Sequence, residues 1–130
     1  MILAIRTDKP VAELVLLDEA GNTQANYSWE AHRALATTLV SKIDEFLADN
    51  SVGTQALTGI IIFSGSGSFT GLRIGATVAN ALAYSHGIAV VAGEGENWLT
   101  GGAMKLKSTK PGNYVAPTYD REPNITKPRQ

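Results

Sequence analysis

Apolar positions change their period several times along this chain, and each change marks an element. Ile2 to Ile5 is a short apolar run, and Val11 to Leu17, apolar but for Glu13, is a second such candidate after the Asp8-Lys9-Pro10 turn. Both read as strands. Asp18-Glu19-Ala20-Gly21-Asn22 is turn chemistry. Beyond it Ala25, Tyr27 and Trp29 alternate with Gln24, Asn26 and Ser28, as a half-exposed antiparallel strand does. From Glu30 to about Asn50 the period becomes helical: Leu35, Leu39, Ile43, Phe46 and Leu47 share a stripe, with Lys42, Glu45 and Asp49 off it. Asn50 and Gly53 are stop signals. Thr58 to Phe63 lacks alternation and reads as a strand covered on both faces. A helix is expected from Gly71 to about His86, capped by Ser68 or Thr70 and stopped by Gly87. Ile88 to Ala92 completes the series as a fifth strand.

The order βββαβαβ describes a three-strand meander extended by two crossover units. It predicts an α/β lobe of the ribonuclease H-like or actin-like ATPase class, with a five-stranded mixed sheet and two main helices. The second helix is unusual. Its apolar residues surround the axis, and Gly71, Gly75, Ala79 and Ala83 form a row of small residues. A helix apolar all round must be covered on more than one side, and another subunit is the expected second cover.

Composition divides the chain. With 130 residues there is room for one domain, and the prolines and glycines after Leu99 end the apolar periodicity. The reading is a lobe over residues 1–100 and an irregular basic tail over 101–130. Formal charge is −5 up to residue 104 and +4 from residue 105 onward, and such a tail can meet nucleic acid or an acidic neighbour. The absence of cysteine excludes disulfides and thiol chemistry. No apolar run approaches membrane-spanning length, and the opening Met1 to Ile5 is too short for a signal peptide. Cytoplasmic residence is expected.

The loop Ser64-Gly65-Ser66-Gly67-Ser68-Phe69-Thr70-Gly71 joins strand to helix where α/β proteins place chemistry. It is no P-loop, because Leu72 stands where the phosphate-binding lysine belongs. It also fails the dinucleotide fingerprint, since the glycine after Gly67 comes one place late. Backbone amides at the helix start, with Ser68, Thr70, Gly71 and Arg73, could still attract an anion. Nuclease chemistry needs converging carboxylates for two metals, and Asp8 and Asp18 alone do not supply them. His32 and His86 form neither a zinc motif nor a triad. No catalytic set and no metal site is expected.

Gly65-Ser66-Gly67-Ser68-Phe69-Thr70-Gly71-Leu72-Arg73-Ile74-Gly75 closely resembles the Gly-Pro-Gly-Ser-Phe-Thr-Gly-Leu-Arg-Ile-Gly segment of the TsaB (YeaZ) family. Ile2-Leu3-Ala4-Ile5 looks like its opening strand, Ile43 to Leu47 like the end of its first helix, and Gly87 to Val91 like its next strand. Pro117-Thr118-Tyr119-Asp120-Arg121 resembles its C-terminal Pro-x-Tyr-Leu-Arg. The resemblance implies a non-catalytic subunit that binds and activates TsaD and, with TsaE, supports formation of threonylcarbamoyladenosine at position 37 of tRNA. It implies ATP and magnesium on TsaD, no cofactor of this chain's own, and tRNA reached through the complex. It places the partner or homodimer interface on the two helices: Leu35, Leu39 and Ile43 in the first, Gly71, Gly75, Ala79 and Ala83 in the second. Ser68, Thr70, Gly71 and Arg73 would form a nucleotide or anion loop shared with the partner. Arg6 departs from the family's aspartate and Ser66 from its proline, and the residues between Gly93 and Val115 are too few for the family's second lobe, which reads as a one-lobed, naturally reduced member. The competing expectation is a ribonuclease H-like nuclease or a stand-alone actin-like ATPase.

Overall fold

A computed structural model describes residues 1–116 of the chain. Strands β1 (Ile2–Arg6), β2 (Val11–Leu17) and β3 (Thr23–Glu30) form the meander, and β4 (Gly59–Phe63) and β5 (Ala89–Gly93) extend it. Both β1–β2 and β2–β3 pair antiparallel, with Ile2 opposite Leu17 and Leu14 opposite Tyr27. Strand β4 runs parallel to β1, and β5 parallel to β4. The sheet order is β3-β2-β1-β4-β5, so the sheet is mixed, as the element order predicts.

Side chains alternate across this sheet, which gives each face its own core. Leu3, Ile5, Leu14, Leu16, Ile60, Ile62 and Val90 point to the face covered by helices α1 (Leu35–Asp49) and α2 (Phe69–His86). Ile2, Ala4, Val15, Leu17, Ile61 and Val91 point to the other face. There the cover is a third helix, α3 (Trp98–Leu106), through Trp98 and Ala103. Each face holds one tryptophan. Trp29 stacks on Tyr27 and donates Nε1–H to Thr38 of α1 at 3.3 Å, while Trp98 meets Phe63 edge to face.

Helix α3 overturns the expectation that regular structure ends near residue 100. Gly101-Gly102 reads as a breaker, yet Gly102 is where α3 lies against the sheet: a Cβ there would come within 2.6 Å of the Ile61 methyl. The glycine serves close packing rather than a turn. Helix α1 likewise begins later than expected. The amides of Ala31 and His32 both donate to the Pro10 carbonyl, and His32 is left-handed at φ 45°, so a 3-10 turn over His32–Ala34 precedes the α-helix. Helix α2 matches its predicted limits closely. Ser68 caps it by accepting from Gly71 N–H, and Gly87 ends it at φ 65°.

The chain itself supplies the second cover for α2. One side packs on β4, β5 and β1, and another on α1. The segment after α3 adds a third contact: Val115 N–H donates to Asn80 Oδ1 and Asn80 Nδ2 donates back to the Val115 carbonyl, each at 2.9 Å. Asn80→Ala should release this segment, with a stability loss of about 1–2 kcal/mol for two part-buried hydrogen bonds and faster amide exchange at Val115.

The β2–β3 turn is held by Asp18, whose carboxylate accepts from the amides of Ala20 and Asn22. Hydrogen bonding from Asn22 lowers its pKa. A carboxyl depressed in the folded state contributes stability above its ordinary range and loses it as pH falls through the lowered value. Asp18→Asn should therefore lower stability at neutral pH and flatten the acid limb of a stability-versus-pH curve, the two proteins converging at low pH where the Asp18 carboxyl is protonated.

Candidate functional site

The glycine loop is clamped to the turn after β1. Ser68 N–H donates to the Asp8 carbonyl at 2.9 Å, and the buried Thr7 hydroxyl donates to the Gly71 carbonyl at 2.7 Å. A Cβ on Gly67, which sits at φ 145°, would stand 2.7 Å from Asp8 Cβ. Added methyls on Gly71 and Gly75 would overlap the Thr7 carbonyl and hydroxyl respectively. These glycines seat α2 directly on the β1 turn.

A cavity of about 370 Å³ opens at this end of α2. Ser68, Thr70 and Gly71 line it, joined by Lys9, His32 and Arg33. Arg73, the fourth residue nominated from sequence, is exposed and is not among the lining residues. Lys9 and Arg33 escaped sequence reading because nothing in their spacing relates them to the loop; the left-handed His32 and the Pro10 carbonyl fold their segments onto it. Ser68 Oγ already caps the helix, so Thr70 and the two cations are the groups free to meet an anion.

The crevice at the carboxyl ends of β1, β4 and β5 holds an internal ion pair. Arg6 donates from Nε to Asp8 Oδ1 at 2.8 Å and from Nη2 to Oδ2 at 3.1 Å, and its guanidinium lies 3.9 Å from the centre of the Phe63 ring. Asp8 is buried with both oxygens engaged. A magnesium nucleotide does not fit here: the cation's place is taken by Arg6, and among the described residues no three His, Cys, Asp or Glu side chains converge as metal ligands. Arg6→Met should cost about 2–4 kcal/mol by stranding a buried carboxylate, and Asp8→Asn added to it should recover part of the loss in thermal melts.

The helix residues nominated as an interface are buried inside this chain. Leu35, Leu39, Ile43, Ala79 and Ala83 are 6% exposed or less, and Gly71 and Gly75 are buried as well. The stripe read from α1 is its core face, and the small-residue row of α2 is its contact with β1 and β4. What the two helices leave open between them is a groove, an apolar cleft of about 400 Å³ lined by Val40, Asp44, Thr77, Val78, Ala81 and Leu82 with Ile43 among them. Val40 is 55% exposed there. Only Ile43 belongs to both sets. The Pro117 to Arg121 segment lies outside the described residues.

Known proteins resolve what such a lobe is. The family model described as "TsaD: tRNA N6-adenosine threonylcarbamoyltransferase" matches residues 16–94. The chain is 31% identical over 90 residues to the tRNA threonylcarbamoyladenosine biosynthesis protein TsaB of Haemophilus influenzae, covering 69% of this chain and 37% of that protein. The TsaB of Bacillus subtilis is 33% identical over 91 residues, covering 70% and 39%. The chain belongs to the TsaD-like family as a TsaB (YeaZ) member. Among solved structures, YeaZ from Pseudomonas aeruginosa superposes with a TM-score of 0.65 at 28% identity, over 72% of this chain and 43% of that one. A second, described as an uncharacterized protein with similarity to peptidase YEAZ from Pseudomonas aeruginosa, gives 0.66 at 27%, over 72% and 42%. The fold is thus the actin-like, ribonuclease H-like lobe of TsaB. The chain spans 37–39% of the length of these curated relatives. Among the described residues no helix is long and apolar enough to cross a membrane.

Proposed function

We propose that this chain is a non-catalytic subunit in the formation of threonylcarbamoyladenosine on tRNA, docking on TsaD through the groove between α1 and α2 and stabilising its active form. The observation that carries the reading is an apolar groove on a lobe of TsaB descent, its floor at Ile43 and its rim at Val40, Ala81 and Leu82. A helix pair of the partner would fill such a cleft by ridges-into-grooves packing. The same surface would serve a homodimer when the partner is absent. ATP and magnesium belong to TsaD in this reading, and TsaE joins the assembly through it. Thr70, Lys9 and Arg33 are the groups at the glycine loop that would meet an anion held between the subunits.

Co-expression with the TsaD of the same organism, followed by size-exclusion chromatography with mass measurement, tests the docking. A stable complex that restores tRNA modification is the expected result. A chain that elutes apart from TsaD and leaves modification unchanged overturns it. Magnesium-dependent hydrolysis of ATP or nucleic acid by the purified chain alone would instead support the enzyme reading.

A further inference from the structure

A second exposed feature lies away from both the groove and the glycine loop. Where the segment after α3 crosses the C-terminal end of α2, it leaves a cavity of about 320 Å³ lined by Tyr84, Ile88, Pro111, Asn113 and Tyr114, with Asn80 at its edge. Two tyrosines define it. Tyr84 is 81% exposed and Tyr114 76%, the two most exposed large hydrophobic side chains among the described residues. Ordinary packing leaves single aromatics at a surface, but here two exposed aromatics from separate elements line one cleft, which offers stacking surface to a single ligand.

The polar surroundings narrow the ligand's chemistry. No acidic residue lines the cleft, Lys110 directly precedes the lining Pro111, and His86 directly precedes the lining Gly87. Lys105 and Lys107 turn elsewhere, the first to the Ala92 carbonyl at 2.8 Å and the second to a cleft it shares with Glu19. Asn80 is committed to Val115, so its amide fixes the cleft's wall. The exposed Asn113 adds an amide with both donor and acceptor groups at the rim. Aromatic side chains and an amide for a base edge, with a lysine one residue along the chain, are the kinds of group with which proteins hold unpaired nucleotides. Leaving Lys105 and Lys107 aside, residues 108–130 carry 4 basic against 2 acidic residues, a balance that complements a phosphate backbone.

We propose that the cleft between Tyr84 and Tyr114 binds an unpaired segment of RNA, the two rings stacking on bases while Lys110 meets a phosphate. This goes beyond the docking reading, since it requires no partner protein. Fluorescence anisotropy of the full chain with short labelled oligouridylate and oligoadenylate tests it. Tyr84→Ala and Tyr114→Ala should each weaken binding about tenfold, the scale of one lost base stack, whereas Tyr84→Phe and Tyr114→Phe should retain it. Lys110→Ala should lower the slope of log affinity against log salt by about 0.7, one single-strand phosphate. Ala81→Arg, which obstructs the helix groove, should leave RNA binding unchanged, so the two readings fail separately. The proposal is overturned if the chain binds neither oligonucleotide at low salt, or if affinity survives both alanine substitutions. It is equally overturned if those substitutions weaken the TsaD complex without altering RNA affinity, which would assign the cleft to a polypeptide. Both tyrosines are exposed, so circular dichroism and melting of the variants should match the parent.

Discussion

Gly71→Val and Gly75→Val should each leave little folded protein. The added atoms meet the Thr7 carbonyl and hydroxyl, on a strand turn that is itself held by Asp8 and Ser68. Neither side can yield cheaply: Thr7 is 1% exposed, its hydroxyl is committed to the Gly71 carbonyl, and β1 is the central strand. Overpacking of a rigid core costs about 1–3 kcal/mol or more, and displacing backbone belongs at the upper end. Against a total stability of about 5–15 kcal/mol, the loss of cap, clamp and helix seating together should move the melting transition below working temperature. Gly87→Ala is the contrast. Nothing lies within 4 Å of a Cβ there, so only the left-handed φ of 65° opposes it, at a cost of about 1 kcal/mol. Equal losses at all three positions would show that packing against Thr7 is not the cause.

Ala81→Arg and Val40→Asp should abolish association with TsaD while leaving this lobe folded. Both positions are exposed on the groove rim, so neither change disturbs the chain's own core. At the centre of an apolar interface a desolvated, unpaired charge costs about 2–4 kcal/mol or more, a fall in affinity of about thirtyfold to a thousandfold. Titration calorimetry and modification of tRNA by the reconstituted system measure it. Thr37→Arg, on an exposed part of α1 outside the groove, should change neither. Unaltered binding by the two groove variants would remove the groove from the interface.

Much of this lobe is legible in its residues because one-dimensional periods carry it. Leu35, Leu39, Ile43, Phe46 and Leu47 fall on one stripe and are the buried face of α1, and Ala25, Tyr27 and Trp29 alternate on the side of β3 that meets it. What periodicity cannot supply is the identity of the covering surface. The same stripe that marks a core face can mark an interface, and here the seven nominated helix residues turn inward because the chain's own sheet and helices cover them. Helix α3 is hidden for a related reason: Gly101-Gly102 has the composition of a break, and only the approach of Ile61 explains the second glycine. The cavity at the glycine loop combines Lys9, Arg33 and Thr70 from three segments, a juxtaposition set by tertiary folding alone.

The placement of the two tryptophans makes each layer of this lobe separately observable. Trp29 belongs to the layer of α1, and Trp98 to that of α3, with the Arg6 guanidinium 5.9 Å from its ring. Trp98→Phe and Trp29→Phe variants should each leave a single tryptophan, the first reporting detachment of α1 and the second detachment of α3. Stopped-flow unfolding of the pair would then time the two faces of one sheet against each other, with α3's emission also sensitive to whatever displaces Arg6.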